Sequence, residues 1–331
     1  MKLKRILSAL AAAAVLTSLC ACGTVSEKTQ SADDMFIESV QVTDQPMEID
    51  EEAVPIGTAA AVSTILTPTA PGTVVYGNSA VSADASNTSD GYVMVRYIKS
   101  TTKKVKLLIT VPGGTTYTYN LGTSGDYETF PLSGGDGTYK LGVYENISGT
   151  SYSTVYTTSF AVKLTDQFSP FLLPNQYVNY TADSQAVKKA AELTKSCKTD
   201  LESIKTVYEY VVKNFTYDKE LAATVKSGYI PDVDSVLAKK KGICFDYAAV
   251  MTAMLRSRDV PTKLVVGYTG KTYHAWINTY TDETGWVEGS IYFDGTTWKL
   301  MDPTFASTGK SSSAIMNYIN NSANYTAKYL Y

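Results

Sequence analysis

The stretch that decides the fold is GICFDYAAVMTAMLRSRDVPTKLVVGY, residues 242–268. A glycine precedes an apolar run with helical spacing, and Pro261 follows it, so we predict a helix with Cys244 in its first turn. The unpaired N–H groups and the dipole at that end favour a thiolate and are placed to stabilise an oxyanion. On the helix, Cys244 shares a face with three apolar residues, Ala248, Met251 and Leu255. The same pattern therefore also fits a plain core cysteine.

Any cysteine–histidine chemistry in this chain depends on one residue, because the sequence contains a single histidine. That residue, His274, lies in YHAWINTY, residues 273–280, whose alternation predicts a β-strand. His274, Trp276 and Asn278 then share one face of the strand. A lone histidine in a strand is also commonly a packed core residue, so both interpretations stay open at this point.

An acidic partner for the imidazole is found in WKLMDP, residues 298–303. The segment alternates as a strand, its proline ends the strand, and Asp302 shares a face with the tryptophan and the leucine. In a catalytic triad, Cys244 attacks, His274 takes its proton, and Asp302 orients the imidazole and stabilises its charged form. An aspartate at a strand end is also a common turn former.

Together, the cysteine helix, YHAWINTY and GWVEGSIYFDGTTWKLMDPTF, residues 285–305, resemble the transglutaminase-like core domain. That family shows a G-x-C-x-D/E-Y/F-A nucleophile helix, an H-A-W strand and a W-x-x-x-D-P-T strand, in this order. The resemblance covers about residues 200–306. It implies an α+β fold with a papain-like core, in which the cysteine helix packs on an antiparallel sheet that carries the histidine and the aspartate. It places the nucleophile on Cys244, the base on His274 and the orienting acid on Asp302.

The resemblance leaves one part of the site open and argues against a cofactor. Family members supply an oxyanion-hole side chain upstream of the cysteine, and Tyr217, in FTYD, and Tyr229, in SGYIPD, are both candidates. Both tyrosines also fit ordinary packing. The calcium sites of animal transglutaminases have no counterpart, because the acidic residues lack the loop spacing for calcium. A single histidine and separated cysteines argue against zinc, so we expect no metal and no cofactor.

The N-terminus is typical of an export signal. A charged start, MKLKR, precedes an apolar run, residues 6–19, that is too short to span a membrane comfortably. The run ends in LCACG, which resembles a bacterial lipobox. Cys22 fits the lipidated position because a small alanine precedes it, whereas a bulky leucine precedes Cys20. We expect residues 1–22 to be a lipoprotein signal peptide and lipobox, with a plain cleaved signal as the alternative.

Composition divides the rest of the chain into three parts. Residues 23–65 are rich in small polar and acidic residues and predict a disordered acidic tether. Residues 66–168 hold about seven short alternating runs between glycine turns, which predicts an all-β immunoglobulin- or fibronectin-like sandwich. We expect residues 169–331 to form the transglutaminase-like catalytic domain. We expect the sandwich to be a spacer or a binding module.

Helical spacing within the third part predicts helices over residues 183–197, 200–215 and 233–240. The aromatic C-terminal end is expected to pack back on the domain as a final strand. Cys197, near the end of the first helix, is expected to be a buried or incidental thiol. In an oxidising compartment it could pair with Cys244, but the context of Cys244 favours a free thiol.

The functional expectation combines these observations. The net charge of −3 gives no basic excess for nucleic acid. The family resemblance implies a cysteine enzyme, and the N-terminal segment predicts that it is exported and anchored by lipid to the outer face of the bacterial cytoplasmic membrane. It would act on peptide or carboxamide bonds of a protein or peptide substrate, such as a cell-wall-associated one, through a thioester. Hydrolysis is expected over crosslinking because water is abundant. The alternatives are a true protein-crosslinking transglutaminase, a catalytically silent cell-surface binding module and a structural surface protein.

Overall fold

The computed structural model describes most of the chain beyond the N-terminal quarter. The described residues are 65–282, 284–287, 291–293, 298–300 and 325–331. The expectations for Cys22, for the tether and for Asp302 lie outside these residues. Among the described helices, none combines the length and the apolar character needed to cross a bilayer.

The first part of the described chain is built from strands. They are β1 Val75–Gly77, β2 Val81–Asp84, β3 Tyr92–Tyr97, β4 Val105–Thr110, β5 Thr116–Leu121, β6 Glu128–Pro131, β7 Gly137–Ser148 and β8 Ser151–Val162. They form two antiparallel four-stranded sheets, with the orders β1-β2-β3-β6 and β5-β4-β7-β8. We call this region the β domain. The sequence predicts about seven strands and the structure has eight in this region, because the alternating run at residues 74–83 is divided into β1 and β2. The Asn78 side chain accepts from the backbone N–H groups of Ala80 and Val81 and closes a turn between them.

The two sheets share one hydrophobic core. The rings of Tyr119 in β5 and Phe130 in β6 meet edge-on, 4.8 Å between centroids. Across the same interface, the Tyr97 hydroxyl donates to Glu145 at 2.6 Å. The structure therefore confirms a sheet-rich N-terminal region, and its immunoglobulin- or fibronectin-like identity stays a prediction.

Five helices follow among the described residues: α1 Gln185–Leu193, α2 Asp200–Asn214, α3 Lys219–Thr224, α4 Val233–Lys239 and α5 Cys244–Arg256. Four of them lie where the helical spacing predicts, and α3 does not. The six-residue α3 begins where the Asp218 side chain accepts from the Leu221 N–H. Helix α5 ends before Pro261, because Asp259 adopts a left-handed backbone conformation with φ 60°.

The remaining strands build the sheet on which α5 packs. Two short strands, β9 Thr216–Tyr217 and β10 Lys241–Gly242, pair in parallel. The main sheet has the order β13-β12-β11-β16, from β11 Thr262–Thr269, β12 Thr272–Thr281, β13 Gly285–Val287 and β16 Tyr325–Leu330. The expected final strand is confirmed as β16. Strand β15, Trp298–Leu300, pairs with β14, Ile291–Phe293, in a two-stranded sheet apart from the main one. Strand β15, which precedes Asp302 in the chain, therefore lies outside the sheet that carries His274. The resemblance implies instead that one sheet carries both the histidine and the aspartate.

Helix α5 is buried on all sides, as its nearly continuous apolar sequence predicts. The cluster of buried hydrophobic residues around it also contains the core of the β domain. Tyrosines make the connection: the Tyr117 ring in β5 meets those of Tyr329 and Tyr331 at 5.2 and 5.5 Å, and its hydroxyl accepts from the Leu330 N–H at 3.2 Å. The β domain therefore shares one core with the described residues of the predicted catalytic domain, 169–331, which we call the catalytic region.

Candidate active site

Cys244 is the first residue of α5, as predicted, and is 2% exposed. Ile243 before it is extended, with φ −99° and ψ 177°, so the helical N–H groups begin at the cysteine. Cys244 is a free thiol, and so is Cys197, whose sulfur lies 3.5 Å from the Thr206 hydroxyl. The disulfide that we weighed between the two cysteines is therefore not formed in this structure.

The chain leading into Cys244 is held by β9. The Thr216 N–H donates to the Lys240 carbonyl at 3.0 Å, and the Asp218 N–H donates to the Gly242 carbonyl at 2.8 Å. The Lys241 ammonium forms an ion pair with Asp218 at 3.2 Å. These contacts fix the four residues, 240–243, that connect α4 to α5.

Asp246 ties the first turn of α5 to the residues around it. One carboxylate oxygen, Oδ2, accepts from the Ile243 N–H at 2.8 Å, which caps the helix. The other, Oδ1, accepts from the Tyr229 hydroxyl at 2.7 Å. Burial raises the pKa of Asp246, and both hydrogen bonds oppose that rise. This role of Asp246 was not predicted from the sequence, although the spacing of an acidic residue three positions after the cap could have indicated it.

The structure places both candidate oxyanion tyrosines beside this turn. Tyr217 lies in β9 opposite Gly242, two residues before Cys244. The Tyr229 hydroxyl donates a hydrogen bond to Asp246, and Asp246 lies two residues after Cys244. Burial raises the pKa of Tyr229, and the hydrogen bond to Asp246 raises it further. The identity of the oxyanion donor stays a prediction.

His274 lies in β12 and is 5% exposed. It shares a face with Trp276, as predicted, and the two rings stack at 6.5 Å. Gly267 is its partner across the strand pair, and a Cβ atom there would lie 2.8 Å from the Trp276 ring and 2.1 Å from the Thr326 carbonyl oxygen. The glycine therefore allows the sheet to close tightly behind the histidine.

The opposite face of β12 meets the core that contains α5. Ala275 and Ile277 belong to that core, and Tyr273 packs against it. Burial raises the pKa of Tyr273, with smaller contributions from neighbouring tyrosines and from Cys244. Helix α5 and strand β12 pack against each other in this core. The structure brings the helix and the strand together, but His274 lies on the other face of β12, so its pairing with Cys244, and with Asp302 in a triad, stays a prediction.

Within the described part of the chain, no three histidine, cysteine, aspartate or glutamate side chains come together as metal ligands would.

Comparison with known proteins finds a protein family whose model matches part of this chain. Residues 187–303 match the family model of the transglutaminase-like superfamily. Over this region the chain thus matches the superfamily that its three motifs predict.

Individual relatives are more distant. Uncharacterized protein YebA of Bacillus subtilis (strain 168) is 30% identical over an alignment of 118 residues that covers 30% of this chain and 16% of YebA. The chain thus spans only a small part of this curated relative. A Cytophaga hutchinsonii protein, provisionally assigned as a cysteine protease, is 14% identical with a TM-score of 0.36, covering 72% of this chain and 75% of its own. Red sea bream transglutaminase is 13% identical with a TM-score of 0.25, covering 69% and 53%.

Proposed function

We propose that this protein is an extracytoplasmic cysteine enzyme that cleaves peptide or carboxamide bonds through a thioester on Cys244. The observation that carries the proposal is the position of Cys244 as the first residue of α5, within the region that matches the superfamily. At that position the helix presents unpaired N–H groups and the positive end of its dipole to a thiolate and to a developing oxyanion.

The reaction follows from the roles assigned to the triad. The Cys244 sulfur attacks the carbonyl carbon, and His274 holds the thiol proton. When the C–N bond breaks, His274 gives that proton to the leaving amine, and a thioester remains on the enzyme. Water then attacks the thioester, passes a proton to His274, and the C–S bond breaks to release a carboxylic acid and restore the thiol. Asp302 orients the imidazole and stabilises its charged form.

Transfer to an amine is the second candidate, and one observation favours it. Cys244 is only 2% exposed, so a bound substrate that covers it further would shield the thioester from water. An amine that entered the site would then form a new amide bond, and the protein would be a crosslinking transglutaminase.

The cellular setting is part of the same proposal. The N-terminal segment favours export and lipid attachment through Cys22, and the acidic stretch after it favours a tether. The substrate would then be a protein or peptide outside the cell, such as one associated with the cell wall, and an immunoglobulin- or fibronectin-like β domain would stand beside the catalytic region.

Product analysis tests the reaction class. The full chain is incubated with a mixture of peptides, with and without a primary amine, and the products are identified by mass spectrometry. We expect cleaved peptides or deamidated glutamines in the wild type and neither in Cys244→Ala, whereas Cys197→Ala serves as the matched thiol control with wild-type activity. Incorporation of the amine with release of ammonia would support the transglutaminase instead. Products that persist in Cys244→Ala would contradict the proposal.

A further inference from the structure

Strand β5 of the β domain reaches the first turn of α5 by two routes. The routes begin at consecutive residues, Tyr119 and Asn120, whose side chains point to opposite faces of the strand. Tyr119 is buried, and Asn120 is half-buried. The routes end at Phe245 and Asp246, the two residues that directly follow Cys244.

The first route is a stack of aromatic rings. The ring of Tyr119 stacks on that of Tyr177 at 5.7 Å, and Tyr177 contacts Phe245 at 5.4 Å. Tyr331 packs edge-on against both tyrosines, at 5.9 Å from Tyr119 and 4.7 Å from Tyr177. Because close-packed rings cannot move independently, a displacement of Tyr119 is transmitted to Phe245.

The second route is polar and passes through Gly228. The Asn120 amide lies so close to this glycine that a Cβ atom on Gly228 would be 2.1 Å from its Nδ2. Gly228 has φ +84°, the left-handed region that favours glycine. The next residue, Tyr229, donates its hydroxyl proton to Asp246. The position of Asn120 therefore limits where the Tyr229 segment can lie relative to α5.

Gln176 joins the two routes at their origin. Its side-chain amide donates to the Asn120 carbonyl at 2.7 Å and to the Glu128 carboxylate at 2.6 Å. Gln176 also directly precedes Tyr177 in the chain. Each of four separate segments, 119–120, 176–177, 228–229 and 245–246, thus contributes two consecutive residues, and the last pair directly follows the nucleophile.

We propose that Tyr119 and Asn120 are positioning residues of the active site, so that the β domain sets the placement of Cys244 in the first turn of α5. This proposal rests on the function proposed above. It gives the β domain a role in the reaction itself, beyond that of a spacer.

The polar route is tested with Gly228→Ala in the full chain. The matched control is Gly125→Ala, since Gly125 has φ +90° but no atom within 4 Å of its Cβ position. The control therefore introduces the same backbone strain without the collision. Asn120→Ala and the double variant Asn120→Ala/Gly228→Ala complete a cycle, because truncating the asparagine removes the collision. Two quantities are measured: the His274-dependent rate of Cys244 alkylation by iodoacetamide below about pH 7, and hydrogen exchange of the amides of residues 242–246.

We expect Gly228→Ala to slow this alkylation about tenfold, because small displacements of a catalytic group have large kinetic effects. Exchange at residues 242–246 should rise in the same variant. Gly125→Ala should match the wild type in both measurements, and the double variant should return to the level of Asn120→Ala. A merely structural role would lower the thermal unfolding temperature of both variants, and that of Gly228→Ala further because of the collision, with no selective change at Cys244.

The aromatic route has its own pair of variants. Tyr119→Leu removes the ring that stacks on Tyr177, and Tyr139→Leu removes an equally buried ring of the β domain that stacks on Phe160 at 6.1 Å. We expect both variants to lose stability, and only Tyr119→Leu to lose His274-dependent alkylation. Tyr119→Phe, which keeps the ring, should restore the rate.

The outcomes separate this inference from the proposed function. If wild-type Cys244 is reactive but Gly228→Ala behaves like Gly125→Ala, and Tyr119→Leu like Tyr139→Leu, the positioning role is wrong and the enzyme proposal stands. If wild-type Cys244 is unreactive, the enzyme proposal fails, and unchanged exchange at residues 242–246 in Gly228→Ala overturns the positioning role as well. Should Gly228→Ala not fold, Tyr229→Phe takes its place, with Tyr97→Phe as the control that loses another tyrosine–carboxylate bond.

Discussion

The two ends of α5 each carry a buried charged residue, but they are held by different parts of the molecule. At the N-terminal end, Asp246 is 0% exposed and accepts from Ile243 and Tyr229, both close to the cysteine. At the C-terminal end, Arg256 is 2% exposed, and burial lowers its pKa to about 10. Its guanidinium donates to three backbone carbonyls, those of Leu173, Thr262 and Tyr331, at 2.7 to 2.9 Å.

The two ends of α5 therefore differ in the parts of the chain that they hold in place. Arg256 joins the segment after the β domain, the start of β11 and the end of β16, so it holds distant parts of the chain together. Asp246 joins the turn that carries Cys244 to the neighbouring Tyr229 segment. Hydrogen bonds compensate the burial of both charges: Asp246 accepts from a tyrosine hydroxyl and a backbone N–H, and Arg256 donates to main-chain oxygens. We expect changes at the two ends to have different consequences.

The largest effect on stability is expected at the C-terminal end. Arg256→Met removes a donor from three buried main-chain oxygens, of which that of Tyr331 keeps the Leu264 N–H, and we expect the free energy of unfolding to fall by about 3 kcal/mol. Arg258→Met, two residues further on and half-buried, should change it by less than about 0.5 kcal/mol. Urea denaturation of the full chain measures both. Equal losses in the two variants would show that the carbonyl contacts of Arg256 contribute little.

A smaller loss of stability, with a loss of reactivity, is expected at the N-terminal end. Asp246→Ala removes the acceptor of the Ile243 N–H and of the Tyr229 hydroxyl, which should lower the free energy of unfolding by about 2 kcal/mol. Alkylation of Cys244 should slow as well, because the first turn of α5 loses its cap. Thr199→Ala, which removes the cap of α2, should lower stability by about 1 kcal/mol and leave Cys244 unaffected. If Thr199→Ala slowed the alkylation of Cys244 as much as Asp246→Ala does, the loss of reactivity would not be specific to the N-terminal end of α5.

The smallest expected effect is a pH dependence. Because burial raises the pKa of Asp246, the folded state holds a proton more tightly than the unfolded chain, whose aspartates titrate near about 3.9. The contribution of Asp246 to the free energy of unfolding therefore falls as the pH rises from that value through the raised pKa. Asp246→Asn lacks this titration, so its stability relative to the wild type should improve across the same window. Urea denaturation at several pH values measures the difference, and a constant difference would contradict the assigned direction.

The sequence predicted the elements whose residues lie close together in the chain. The helix that begins at Cys244, the strand that carries His274 and the final strand at the C-terminus all follow from local periodicity, and the superfamily follows from three short motifs. Local capping explains what was missed nearby, namely α3 at Asp218 and the turn at Asn78 that divides an expected strand.

Contacts between distant residues could not be predicted in this way. The carbonyls that surround Arg256 lie 83 and 75 positions away at Leu173 and Tyr331, and backbone carbonyls have no sequence pattern. The contacts of the tyrosines that join the β domain to the catalytic region could not be predicted either. Alternation assigns these tyrosines to a core, but it does not identify the residues that they pack against. The second acceptor bond of Asp246, from Tyr229, depends on a segment 17 residues earlier.

The measurement that tests the central claim most directly is the pH dependence of iodoacetamide labelling at Cys244, read by peptide mass spectrometry in the wild type and in His274→Ala. Cys197, half-buried and free, serves as the internal reference thiol. We predict that Cys244 labels faster than Cys197 below about pH 7, and that His274→Ala abolishes this advantage because the thiolate–imidazolium pair is lost. Labelling of Cys244 that is no faster than that of Cys197, and unchanged in His274→Ala, would contradict the enzyme proposal and favour a catalytically silent binding module.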